Sequence, residues 1–399
     1  MQRPLSPDVS AEFAFAAACC VWPPTEDSDA GVAEAAARLG DWRKVPVIGR
    51  RHRIDGLIWH ALSRCAIDAP EPSAVTLRDR ATSLARTSLI QAAGSCTLQA
   101  RLDDAGIANL ILKGTTLDML AYGRLGLKQA WDIDILVLPE QVGKAARVLL
   151  SSGYNFTGTN PKSLNDLVSW MAMAKECAFR HAASGEVVEL HWRAVDSDQL
   201  LPGLSAVSRY QRVAITPQMA LRTLAPDELF AYLCVHGASH GWFRLKWLAD
   251  LAALVRGHSG EAIEALYERS LDLGAGTCSA QALCLCQEVL AIPLPEALSV
   301  RLRRDIKVRW LIQVAWRAMA GGDGREVVDQ PFANDRILLA HLLFDQGWRF
   351  RWREFSRQWL SIADRHRISL PSGLNVIYGL IRLPSWFLRR LASRGLSRP

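Results

Sequence analysis

No Cys-x-x-Cys pair occurs among the nine cysteines. Cys19 and Cys20 are adjacent and cannot form an unstrained bridge with each other; Cys284 and Cys286 alternate within a helical-looking segment. This spacing argues against a metal cluster or a disulfide framework and reads as small buried thiols in a reducing compartment. Long apolar runs are missing too. Phe13 to Trp22 is apolar for only about ten residues and follows Glu12, against the roughly 20 that a bilayer span needs. Met1 to Asp8 has no basic region leading into an apolar stretch, so it lacks the flanks of a secretory leader. There is no internal repeat, no low-complexity segment and no recognised RNA-binding motif. These absences point to a soluble, cytoplasmic protein.

What remains is an ordinary globular composition: 399 residues, 50% hydrophobic and 22% charged. That length suits two or three domains with sizeable cores. The net charge of +7 favours anionic partners such as nucleotides, nucleic acid or anionic lipid, without choosing among them.

The pattern along the chain is helical up to about residue 85, and a long helix is expected from Ser73 to Asp104. It leads straight into an apolar strand at Ile107, so the N-terminal helices are expected to pack on the unit that this strand begins. Strands are read at Ile107–Leu112, Asp132–Leu138, Cys177–His181 and Val187–Trp192, the last two as a hairpin across Ser184-Gly185. Helices are read at Thr115–Tyr122 and Glu140–Ser152. Strands with helices packed on one face define an α+β class with a small mixed sheet. From about Pro217 the pattern is helical again, with Gly321 to Gly324 as a loop. The expected organisation is an N-terminal helical region at 1–85, a core at 86–215, a helical domain at 216–370 and a basic amphipathic tail at 371–399.

The densest chemistry lies in Leu112-Lys-Gly-Thr-Thr-Leu117 and Trp131-Asp-Ile-Asp-Ile-Leu-Val137. Alternate residues of a strand share a face, so Asp132 and Asp134 project together, about 6–7 Å apart along the chain. Ile133 and Ile135 then point into a core. Two adjacent carboxylates on a buried strand need compensation, and a hard divalent cation such as Mg2+ supplies it. The bland alternative is an Asp pair at a sheet edge. Glu189 lies in another apolar strand and needs a partner, either a metal or a salt bridge. His191 shares its face, to touch phosphate or substrate, to orient the carboxylate, or to make an internal hydrogen bond.

Lys113-Gly114, then Asp132-Ile-Asp134, then Val188-Glu-Leu-His-Trp192 resemble, in that order and spacing, a bacterial branch of uncharacterised nucleotidyltransferases. These belong to the superfamily typified by DNA polymerase beta. The resemblance covers about Arg86 to Leu254. It implies a nucleotidyltransferase core flanked by N-terminal helices and a C-terminal helical domain. It also implies a metal set of Asp132, Asp134 and Glu189 holding Mg2+ or Mn2+, as two ions. Gly114 and the Thr115 amide become the phosphate cradle at a helix N-terminus. Lys113 is a phosphate contact if alternation leaves it on the metal face. Lys128 stands where the branch is expected to have Arg, keeping the charge but not the bidentate fork.

A second constellation runs His236-Gly-Ala-Ser-His240-Gly-Trp242, then Arg244, Lys246 and Asp250. His240 and Lys246 are candidate substrate or phosphate contacts, with Arg244 as an alternative and Trp242 near a base. The competing readings are core packing with a Lys246–Asp250 helix pair, and a zinc site on His236 and His240. Trp348-Arg-Phe-Arg-Trp352-Arg353 and Trp386-Phe-Leu-Arg-Arg390 suit either a membrane surface or an arginine-lined solvent face.

The expected activity is metal-dependent transfer of a nucleoside monophosphate from an NTP to an unidentified acceptor. Surface-glycan precursors, small natural products and peptides are all open as acceptors. The alternatives are transfer from another nucleotide-activated donor, such as a nucleotide sugar, and a non-catalytic nucleotide-binding module. No specific nucleic-acid partner is expected; peripheral membrane contact through the basic tail stays open.

Overall fold

The computed structural model describes residues 9–157, 161–321, 333–345 and 347–359. The expected tail at 371–399 and the loop at 322–324 lie outside these residues.

Helices α1 (Ala11–Ala18), α2 (Glu26–Ala37), α3 (Val45–His52) and α4 (Asp55–Arg64) lead into α5 (Ser73–Asp104). Thr25 and Ser28 close a reciprocal capping box at the start of α2. Helix α5 buries Leu77, Ala81, Leu84, Ser88, Ala92, Ser95, Leu98 and Leu102, a stripe at three- and four-residue spacing. It runs through the expected boundary at residue 85 and packs on both α4 and the sheet.

The sheet has five strands: β1 (Asn109–Ile111), β2 (Asp132–Val137), β3 (Tyr154–Phe156), β4 (Glu176–His181) and β5 (Val187–His191). Their order is β1-β2-β5-β4-β3. Strands β2 and β5 are parallel; the other pairings are antiparallel, so the sheet is mixed as expected. Helices α6 (Thr115–Tyr122), α7 (Val142–Ser151) and α8 (Leu164–Met171) connect the strands. The core of this unit holds Ile133, Ile135, Val188 and Leu190, all 3% exposed or less. Alternation therefore sends Asp132, Asp134 and Glu189 to the other face.

One expectation needs correction. Residues after Pro217 do not begin a helix; β6 (Tyr210–Ala214) and β7 (Ala220–Leu224) form a hairpin. The cause is tertiary. Gln99 on α5 donates to Ala220 O at 3.0 Å and accepts from Arg222 N at 2.8 Å, tying β7 to the long helix.

Among the described residues only helices follow: α9 (Pro226–Ser239), α10 (Leu245–Val255), α11 (Gly260–Asp272), α12 (Gly276–Leu290), α13 (Glu296–Arg304), α14 (Ile306–Ala320), α15 (Ala333–His341) and α16 (Trp348–Trp359). The larger hydrophobic core joins them to the N-terminal helices. Among the described residues no helix is long and apolar enough to cross a membrane.

Candidate active site

Parallel pairing of β2 with β5 sets Asp134 opposite Glu189. The carboxylates expected to meet are therefore neighbours across one strand pair, although 55 positions separate them in the chain. Asp134 is 1% exposed and Glu189 keeps 28% of its side chain open to a cleft. The cleft has a volume of about 890 Å³ and is also lined by Asp132, Lys113, Glu176 and His191.

Both oxygens of Asp134 are engaged. Lys113 Nζ meets Oδ2 and also lies 3.6 Å from Asp132 Oδ1. His191 Nε2 lies 3.1 Å from Asp134 Oδ1 and 3.7 Å from Glu189 Oε2. Burial alone would raise the Asp134 carboxyl, but Lys113 and His191 hold it well below the usual carboxylate range. Burial pushes the Glu189 carboxyl up, and Asp134, Glu176 and Asp132 push it further. Burial opposes a charge on His191, yet Glu176, Asp134 and Glu189 outweigh it and bring the imidazole up to about 9.

Glu176 is the residue that motif reading missed. It sits on β4 in register with His191, and its Oε2 lies 3.0 Å from His191 Nδ1. Lys175 contacts the same carboxylate. The contact is at ion-pair distance without hydrogen-bond alignment, so Glu176 acts on the imidazole through its charge, behind the Nε2 that faces Asp134 and Glu189.

Asp134, Glu189 and His191 each offer one donor atom, and the three atoms lie within 4.8 Å of one another. This group is able to hold a divalent metal ion. Its imidazole makes the set differ from the expected three carboxylates: Asp132 lines the cleft beside the cluster rather than joining it. Two carboxylates and one imidazole accept Mn2+ readily, and Mg2+ through the oxygens.

Gly114 has φ +73° at the turn from β1 into α6, a conformation that glycine adopts without strain. No side chain caps α6, so its first amides, including that of Thr115, keep their donors uncapped. Gly114, Lys113, Asp132 and Lys246 line a smaller recess of about 30 Å³ that opens beside the cleft. Lys246 Nζ donates to Gln129 O at 3.0 Å. Burial and the neighbouring Lys128, Arg53 and Lys113 hold its ammonium well below the usual lysine range. It does not form the i,i+4 ion pair with Asp250, because Lys128 occupies that carboxylate.

Lys128 departs from its expected role. It is 3% exposed, with Asp118 Oδ1 at 3.0 Å and Asp250 Oδ2 at 3.1 Å. Tyr122 donates to the second oxygen of Asp250 at 2.9 Å. The two carboxylates that surround Lys128 pair with its charge, so it ties α6 to α10 while also lining the recess beside Gly114.

Trp242 is likewise corrected. It is fully buried in the helical core, donates to Gln281 Oε1 at 3.2 Å, and presses on Gly237, where any Cβ would collide with its ring. The aromatic surface of the cleft comes instead from Trp247, with His240 stacked on it at 4.7 Å and Phe243 edge-on at 5.0 Å. His236 and His240 sit 4.8 Å apart by ring centroid. Among the described residues no third ligand joins them into a zinc site.

A mixed sheet carrying clustered carboxylates over a cleft, beside an uncapped helix N-terminus, defines a candidate phosphate-handling, metal-assisted site. A family profile described as uncharacterised nucleotidyltransferase matches residues 39–291. The chain belongs to this uncharacterised nucleotidyltransferase family. No curated protein matches it. The matched span contains every site residue named above, whereas Leu338, His341, Ser356, Arg357 and Gln358, which wall the far side of the cleft, lie beyond it.

Proposed function

We propose that the protein transfers a nucleoside monophosphate from an NTP to an acceptor bound in the same cleft. The observation that carries this reading is the register of Asp134 with Glu189 beside Asp132, at the mouth of the recess formed by Gly114 and the start of α6.

Asp134, Glu189 and His191, with Asp132 alongside, would hold Mg2+ or Mn2+. A divalent ion there supplies charge neutralisation for a triphosphate and acidifies an acceptor hydroxyl. The rest falls to the chain. The Gly114 turn and the Thr115 amide offer donors to phosphate oxygens. Lys246, crowded by other cations and bonded to one carbonyl, gains most from an anionic neighbour. The ring pair Trp247–His240 offers a flat apolar face for a base. In phosphoryl chemistry such positioning and charge matching account for most of the catalytic effect.

The cleft volume lies near the upper end of ordinary ligand sites, which leaves room for donor and acceptor together. Helices α15 and α16 close its far half. His341 links Ser239 O at 2.8 Å to Glu354 Oε1 at 3.2 Å, and Arg353 lies 3.0 Å from Asp198. That half faces the acceptor in this reading, and a small polar molecule, a glycan precursor or a peptide end would fit its mixed lining. The test is incubation with each labelled NTP and Mg2+ or Mn2+ in the presence of cell extract. Mass spectrometry of the product then distinguishes an added nucleotide from an added sugar.

A further inference from the structure

We infer that this site takes one divalent ion and that the Lys113 ammonium occupies the position a second ion would need. The inference rests on the metal-dependent reading above and deepens it.

Two-ion sites for nucleotidyl transfer place their metals about 3.5–4 Å apart, bridged by shared carboxylates. Here the shared pair would be Asp132 and Asp134, i and i+2 on the open face of β2. That is where Lys113 stands: its Nζ contacts Asp134 Oδ2 and lies 3.6 Å from Asp132 Oδ1. The backbone enforces this. Leu112 N donates to Asp134 O at 3.0 Å, so Lys113 leaves β1 directly alongside the two aspartates. Gly114 then turns away at positive φ, and the lysine side chain stays against β2.

The remaining donors group with the Asp134 oxygen that Lys113 does not contact: His191 Nε2 lies 3.1 Å from Oδ1 and 3.7 Å from Glu189 Oε2. One donor atom each from Asp134, Glu189 and His191 lie within 4.8 Å of one another, and Asp132 is not in that set. The Lys113 ammonium already neutralises part of the charge on the Asp132–Asp134 pair. A second ion would sit against a fixed like charge.

The test is electron paramagnetic resonance of Mn2+ bound to the full chain, with one equivalent of a non-hydrolysable NTP analogue. The wild type is expected to bind one Mn2+ in the protein site and to show no Mn2+–Mn2+ spin coupling. Lys113→Met is expected to admit a second ion, seen as a coupled pair. Lys113→Gln serves as the parallel variant should the first fold poorly, with a circular dichroism melt as the check. A coupled pair in the wild type would overturn the inference while leaving the metal reading intact. A single uncoupled ion in both folded variants would also overturn it, because Lys113 would then not be what excludes the second ion. No specific Mn2+ in any of the proteins would overturn this inference and the metal-dependent function together.

Discussion

Glu176 and Asp134 face each other through the ring of His191, 3.0 Å from Nδ1 and 3.1 Å from Nε2 respectively. One carboxylate belongs to the cluster able to hold a metal; the other stands behind the imidazole and acts on it through its charge. Glu176→Gln keeps the shape but removes the charge behind the ring. Mn2+ affinity, measured by calorimetry, is expected to fall about 10- to 100-fold, as it does when such outer partners are lost. An unchanged affinity would mean that His191 takes no part in metal binding.

Asp134 is the buried charge on which Lys113 and His191 converge. In metal-free protein, Asp134→Ala leaves Lys113 without its main partner and takes one of the carboxylates from His191. Breaking a buried pair in this way costs about 3–5 kcal/mol. Urea denaturation in the presence of chelator is expected to show that loss. Asp132→Ala, at a more open position with one 3.6 Å contact, is expected to cost much less.

The Lys128 network makes a structural prediction with no direct bearing on phosphate. Lys128→Met strands Asp118 and Asp250 in a buried site, with an expected loss of about 3–5 kcal/mol. Adding Asp118→Asn and Asp250→Asn removes the stranded charges, and the triple variant is expected to recover part of that stability. A Lys128→Met protein that is as stable as wild type and selectively loses NTP binding would restore the phosphate role.

How much of this was legible in the chain depends on which physical rule governed each residue. Asp132, Asp134 and Glu189 obey the two-residue period of a strand, and their common face follows from that period together with apolar neighbours. Glu176 carries no such mark. Its meaning arises only when the β4–β5 hairpin registers it against His191. Trp242 and Trp247 look alike in the sequence, yet Trp242 sits at φ +52° just ahead of α10 and turns into the core, while Trp247 lies one turn into the helix and faces the cleft. The β6–β7 hairpin was hidden for a related reason: the side chain of Gln99, 121 positions away from Ala220, ties its second strand to α5.

His52 sets a pH dependence. It is fully buried, accepts from Leu245 N at 3.1 Å through Nδ1, and lies beside Arg51 and Arg244. Burial, then those two arginines, hold its pKa well below the ordinary 6.5. The unfolded chain therefore binds a proton that the folded chain refuses. The stability due to this residue is present above about pH 6.5 and is lost as pH falls below it. His52→Asn, which keeps an acceptor for Leu245, is expected to flatten the fall in denaturation midpoint between pH 6.5 and 4.5 relative to wild type. Parallel slopes would contradict a neutral buried His52.

Trp247 tests the base platform. Base–aromatic stacking is worth about 1–3 kcal/mol per base. Trp247→Leu is expected to weaken NTP binding by roughly tenfold or more in calorimetry, at the low end of that range, with Mn2+ affinity in the absence of nucleotide unchanged. Equal losses for both ligands would show a collapsed cleft rather than a lost platform.

The most direct measurement follows the α-phosphate itself. Protein, Mn2+ and an acceptor pool are incubated with NTPs labelled at either the α- or the γ-phosphate. The expected result is α-label in a product and γ-label in pyrophosphate, both abolished by Asp132→Ala with Asp134→Ala in a protein that still melts cooperatively. α-Label transfer that persists in the double variant would contradict the assignment of these carboxylates, as would failure of every NTP to donate its α-phosphate in the wild type.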